Sequence, residues 1–77
     1  MPRIHVLDNC AIYVYADDHA PPHFHVRGPD SDALIDIESL VVSRGVITRS
    51  DYAAAVEWAR ANRDVLLAKW SKLNERD

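Results

Sequence analysis

The densest chemical cluster in the sequence is Asp17-Asp18-His19-Ala20-Pro21-Pro22-His23-Phe24-His25. Imidazole accepts or gives a proton near neutral pH, and imidazole and carboxylate both ligate metal ions. His23 and His25 stand two apart in a segment that alternates polar and apolar side chains. On a strand both rings project from one face, with backbones about 7 Å apart. His19, His23 and His25 in the spacing His-x-x-x-His-x-His offer three nitrogens to a divalent ion. No cysteine, His-Glu-x-x-His or zinc-finger partner accompanies them, so the expected site carries no metal and no cofactor.

General acid–base work needs the same groups, and Arg27 on that face has the charge to stabilise a phosphate oxyanion. The candidate catalytic residues are therefore His19, His23, His25 and Arg27. Tyr13, Tyr15, Asp17, Asp18 and Asp36 are the candidate binding residues around them. Each also has a structural reading: Arg27 pairing with Asp36 across two strands, His19 fixing its loop by a hydrogen bond, and the Pro-Pro pair only orienting the strand.

These residues need a sheet to position them. Arg3 to Leu7 and Cys10 to Tyr15 alternate around Asp8-Asn9, which reads as a hairpin. Pro21-Pro22 cannot lie in a central strand, so residues 17–22 form a stiff loop. His23 to Arg27 alternates again and ends at Gly28-Pro29. Ala33 to Ile37 and Leu40 to Ser43 add two strands around Glu38-Ser39, with Gly45 ending the second. The order expected is a meander.

From Thr48 or Ser50 the period changes, and Tyr52, Val56, Ala59, Leu66, Trp70 and Leu73 form one stripe at helical steps. Thr48 or Ser50 supplies an N-cap oxygen, and Asp51 suits the first turn. The stripe is interrupted at Asn62-Arg63-Asp64, where the chain either restarts with Asn62 as a cap or runs on. One continuous helix is the reading adopted, with fraying only at Asn74 to Asp77. The fold class is α+β: a small antiparallel sheet of about five strands packed on one long C-terminal helix, with residues 1–77 as a single domain.

Side chains alternate across a sheet, so the strands sort into two sets. Ile4, Val6, Ile12, Val14, Phe24, Val26, Ile35 and Ile37 form the core face. His5, Tyr13, Tyr15, His23, His25, Arg27 and Asp36 form the open face. A one-sided sheet must expose something, and such residues are ordinary there. Their combination nonetheless suits base stacking, phosphate contacts and proton transfer.

Hydrophobic residues at 48% and charged residues at 27% describe a folding chain rather than a disordered one. No apolar run approaches the roughly 18 residues that span a bilayer, and MPRIHVLDN lacks the apolar core of a signal peptide, so the expected location is the cytoplasm. Cys10 is the only cysteine, which excludes an intrachain disulfide and fits buried filler. A net charge of −3 gives no overall attraction to phosphate backbones, so any RNA contact must be local. A chain this short buries only about 60% of its unfolded surface, which favours a partner or a homodimer. Trp58 and Trp70 are read as core or interface anchors.

Asp17-Asp18-His19-Ala20-Pro21-Pro22-His23-Phe24-His25-Val26 resembles the signature loop of the domain of unknown function 4160 family. Ala33-Leu34-Ile35-Asp36-Ile37-Glu38, Gly45, Glu57-Trp58 and Asp64-Val65-Leu66-Leu67-Ala68-Lys69-Trp70 are similar to the rest of the family pattern. The resemblance thus extends over nearly the whole chain. Members more often carry Asn at the position of Asp17. Their genes commonly neighbour those of domain of unknown function 2442, in an arrangement resembling bacterial toxin–antitoxin modules, which implies a small protein partner. The expected function is a toxin-like component acting on RNA or translation through the histidine face. The alternatives are a non-catalytic protein-binding module, partner or antitoxin-like, and a small metal-binding enzyme.

Overall fold

The computed structural model describes residues 3–16 and 18–74. Five strands, β1 (Arg3–Val6), β2 (Ala11–Tyr13), β3 (His23–Gly28), β4 (Ser31–Asp36) and β5 (Val42–Val46), form one antiparallel sheet in the order β1-β2-β3-β4-β5. Two helices follow, α1 (Arg49–Ala61) and α2 (Arg63–Asn74). The fold class is thus α+β with the expected meander, but the long C-terminal helix is two helices.

The break falls at Asn62, which ends α1 with φ −128°. Its side chain donates to the Trp58 carbonyl at 2.9 Å, and its own carbonyl accepts from the Leu66 N–H at 3.0 Å, so one residue closes the first helix and opens the second. Arg63 holds the break from outside. Its Nε donates to the Ile37 carbonyl at 3.0 Å and its Nη2 to the Glu38 carbonyl at 3.3 Å. These carbonyls belong to the β4–β5 turn, so the sheet itself fixes where α2 begins.

The apolar alternation of β2 to β4 gives the core. Ile12, Val14, Phe24, Val26, Ile35 and Ile37 are fully buried, and Ala55, Val56, Ala59, Leu66 and Trp70 of the helices pack on them. Register carries that face across the sheet, with Ile12 opposite Val26, Val26 opposite Ala33 and Phe24 opposite Ile35.

Strand β1 departs from the expected alternation. A register shift between Arg3 and His5 sets His5 opposite Ile12 and Val6 opposite Ala11. His5 therefore lies on the helix side, its ring stacked on Trp58 at 4.6 Å and 12°, while Val6 is 58% exposed. The bulge exchanges the faces of these two residues.

The β5 strand starts and ends later than its sequence suggests, because Gly45 lies inside it. Gly45 has φ +91°, and a Cβ there would run into the Asp32 carbonyl oxygen, so this close strand approach requires glycine. At the helix entrance Thr48 is the N-cap: its Oγ1 accepts from the Asp51 N–H at 3.1 Å. Asp51 is buried and accepts from Ser31 Oγ at 2.5 Å, which ties α1 to the start of β4.

Candidate functional site

One aromatic row crosses the open face of the sheet and ends on the buried Trp70 of α2. Tyr13 stacks on Tyr15 at 5.8 Å, Tyr15 meets His25 edge-on at 4.6 Å, His25 lies 5.3 Å from His23, and His23 lies 4.9 Å from Trp70. Strand pairing builds the row: Tyr13 stands opposite His25, His25 opposite Leu34 and Leu34 opposite Arg44, so one line of side chains crosses four strands. His23 stands opposite Asp36 on the same face. Unlike an ordinary open-face residue, it is only 7% exposed.

The loop after β2 brings Asp18 onto the two imidazoles. Asp18 Oδ2 lies 2.9 Å from His23 Nε2 and 3.1 Å from His25 Nε2. The other carboxylate oxygen, Oδ1, accepts from the His19 N–H at 3.0 Å. The Asp18 N–H donates to Asn74 Oδ1 at 2.6 Å, and Asn74 Nδ2 donates to the Tyr15 carbonyl at 2.9 Å. The far end of α2 thus clamps both sides of the loop.

Burial by itself raises the Asp18 carboxyl. Hydrogen bonds from His25, the His19 N–H and His23, with the attraction of His23, outweigh it and hold the group below its ordinary value.

His23 is fixed at both nitrogens. Its Nδ1 lies 2.9 Å from the Pro21 carbonyl oxygen, which can only accept, so Nδ1 carries hydrogen and Nε2 is the atom turned to Asp18. The peptide bond before Pro21 is cis. A cleft of about 280 Å³ borders this corner, lined by Asp18, His19, Pro21, His23, Asp36 and Arg44 among others.

Of the residues expected from sequence, the structure joins Asp18, His23 and His25 in one cluster and continues it through Tyr15 and Tyr13. His19 lines the cleft, and its backbone braces Asp18; its ring is not among the converging donor groups. Arg27 donates to Tyr15 Oη at 3.1 Å and lies 3.9 Å from Asp32, its partner across β3 and β4. The pairing with Asp36 weighed above is not formed. Asp36 Oδ1 instead accepts from the N–H groups of Glu38 and Ser39 and shapes the β4–β5 turn at the rim of the cleft. Asp17 lies outside the described residues.

Three participants were missed. Asn74 is read from sequence as a fraying terminus, and Trp70 as a core or interface anchor; Trp70 is in the core, and it also packs on His23. Arg44 was hidden because a register shift between β4 and β5 sets it opposite Leu34 on the open face, whereas strict alternation from the core-facing Val42 puts it on the core face.

Among the described residues no helix is long and apolar enough to cross a membrane. Comparison with curated proteins and with solved structures finds no match. Residues 10–71, which include β2 to β5, the clamped loop and most of both helices, match the family described as domain of unknown function (DUF4160), and the chain belongs to that family.

Proposed function

We propose that the chain is a toxin-like component of a bacterial two-protein module, working in the cytoplasm on RNA or the translation apparatus through the Asp18, His23 and His25 corner, and masked by a small protein partner resembling domain of unknown function 2442. The observation that carries this reading is the convergence of two imidazoles on one carboxylate oxygen beside an open cleft. A passive sheet face has no need of it. The surroundings suit a nucleotide: Tyr13 and Tyr15 offer ring faces for a base, and Arg44 in the cleft offers a cation to a phosphate. A net charge of −3 supplies no long-range attraction, so recognition rests on these local groups.

A second reading, a non-catalytic binding module, is favoured by the sheet edges. β1 and β5 are terminal strands of the sheet, and Val6 and Val46 on them are 58% and 71% exposed, an arrangement open to strand addition by a partner.

Controlled expression in a bacterial host separates the two. The toxin reading expects growth arrest by the natural chain, relief by the partner, and normal growth with His25→Gln at equal soluble level. Normal growth with abundant natural chain, together with a stable complex with the partner, overturns it in favour of the binding module.

A further inference from the structure

We infer that Asp18, His23 and His25 hold one divalent first-row transition-metal ion, with zinc the best match, through Asp18 Oδ2 and the two imidazole Nε2 atoms. The inference deepens the reading above and rests on the same corner, but it is tested independently of toxicity. Each residue offers one donor atom, and the three lie within 4.8 Å of one another. Donors about 2.0 Å from a tetrahedral zinc ion stand about 3.3 Å apart. The oxygen-to-nitrogen separations of 2.9 and 3.1 Å lie within a few tenths of an ångström of that edge, and the two imidazole nitrogens, within 4.8 Å of each other, complete it by rotation of the His25 ring.

The tautomer of His23 is the second support. With Nδ1–H given to the Pro21 carbonyl, Nε2 is the His23 atom turned to Asp18 Oδ2, at 2.9 Å, and it is the nitrogen placed to ligate. His25 Nε2 reaches the same oxygen at 3.1 Å, so one atom of each side chain converges on one point.

The supporting groups match those of a ligating set as well. Metal-bound histidines donate their other nitrogen to a carbonyl or carboxylate, and ligating carboxylates are themselves hydrogen-bonded. His23 has the Pro21 carbonyl, and Asp18 has the His19 N–H on Oδ1 and Asn74 on its backbone. Two nitrogens and one oxygen suit zinc and its first-row neighbours, whereas calcium and magnesium require oxygen donors. Three protein ligands leave a fourth position for water or a substrate oxygen, the arrangement of catalytic rather than structural zinc.

The test uses the full chain without an affinity tag, stripped with chelator and titrated with zinc by calorimetry, and with cobalt by visible absorption. The expected result is one equivalent bound, a tetrahedral cobalt spectrum, and affinity weakened at least about 100-fold in His25→Gln and about 10-fold in Asn74→Ala, which leaves all three ligands in place. Calcium and magnesium should not compete. Absence of saturable zinc binding, or equal binding by His25→Gln with native circular dichroism, overturns the metal site and leaves a hydrogen-bonded cluster. Growth arrest by a chain that binds no zinc would leave the toxin reading standing, and zinc binding by a chain that arrests nothing would leave the metal site standing.

Discussion

Asn74, in the last turn of the second helix, accepts the backbone N–H of Asp18 at 2.6 Å across 56 positions of sequence. Its amide also donates to the Tyr15 carbonyl, so one side chain satisfies two backbone groups of the loop that presents the carboxylate. Asn74→Ala should lower stability by about 1–2 kcal/mol, from two lost hydrogen bonds. Urea denaturation measures the loss. Asn74→Asp keeps the acceptor and removes the donor, so it should fall between Ala and the natural residue.

His5 and Trp58 form the contact that holds the bulged first strand to α1. A stacked pair contributes about 0.5–1.5 kcal/mol beyond its buried area. His5→Ala should cost at least that much, and a double-mutant cycle with Trp58→Ala should return a coupling energy in that range. A coupling near zero would show that the rings are adjacent without stabilising one another.

The central strands were legible because each follows a strict period of two between clear turn signals. Their alternation alone assigned Phe24, Val26, Ile35 and Ile37 to the core and His25 and Arg27 to the other face. β1 was illegible because a bulge adds one residue without any distinguishing residue type, and Arg3 to Val6 alternates equally well in either register. The helix break was visible as the interruption of the apolar stripe at Asn62-Arg63-Asp64, but a restart and a continuous helix read alike there. The hydrogen bonds from Arg63 to carbonyls 26 and 25 positions away, which brace the break, leave no local pattern. Likewise the cluster residues were visible as types, but the loop that lays Asp18 between them depends on Asn74 at the opposite end of the chain.

Acid should weaken the fold through Asp18. A carboxyl held below its ordinary value of 3.8 contributes stability that is present above that value and is lost as the pH falls through the lowered folded value. Asp18→Asn removes this contribution. The stability difference between the natural chain and the variant should shrink as the pH falls below about 4. Urea midpoints across that range give the curve, and a difference that grows on acidification would reverse the assigned sign.

Cys10 should be a slow thiol. Burial, then the nearby Asp51 charge and a hydrogen bond with Asp51, push its pKa from 9.0 to about 11. Thiolate is the reactive form, so a shift of about two units predicts about 100-fold less thiolate near pH 8, and slower alkylation than in the chain unfolded by urea. The linkage has the opposite sense to that of Asp18. This contribution is complete below pH 9.0 and is lost as pH rises through about 11. Equal alkylation rates in native and unfolded chain would show that the thiol is not held as the geometry indicates.

His23 and His25 should separate under substitution, although the sequence presents them as a pair. His23 is 7% exposed, packs at 4.9 Å on Trp70 and uses Nδ1 on the Pro21 carbonyl. His23→Gln therefore loses ring packing and leaves a backbone carbonyl in need of a donor, for a cost of about 1–3 kcal/mol. His25 keeps more of its ring in solvent and has its polar contact with Asp18 Oδ2 alone. His25→Gln should cost less than about 1 kcal/mol, because glutamine can still donate to the carboxylate. A double variant consequently confounds folding with function, and His25→Gln is the clean probe of the site. Thermal melting of both single variants decides the matter: a larger fall for His25→Gln than for His23→Gln would mean that Trp70 and the Pro21 carbonyl do not anchor His23, and that the two rings have exchanged their structural and functional roles.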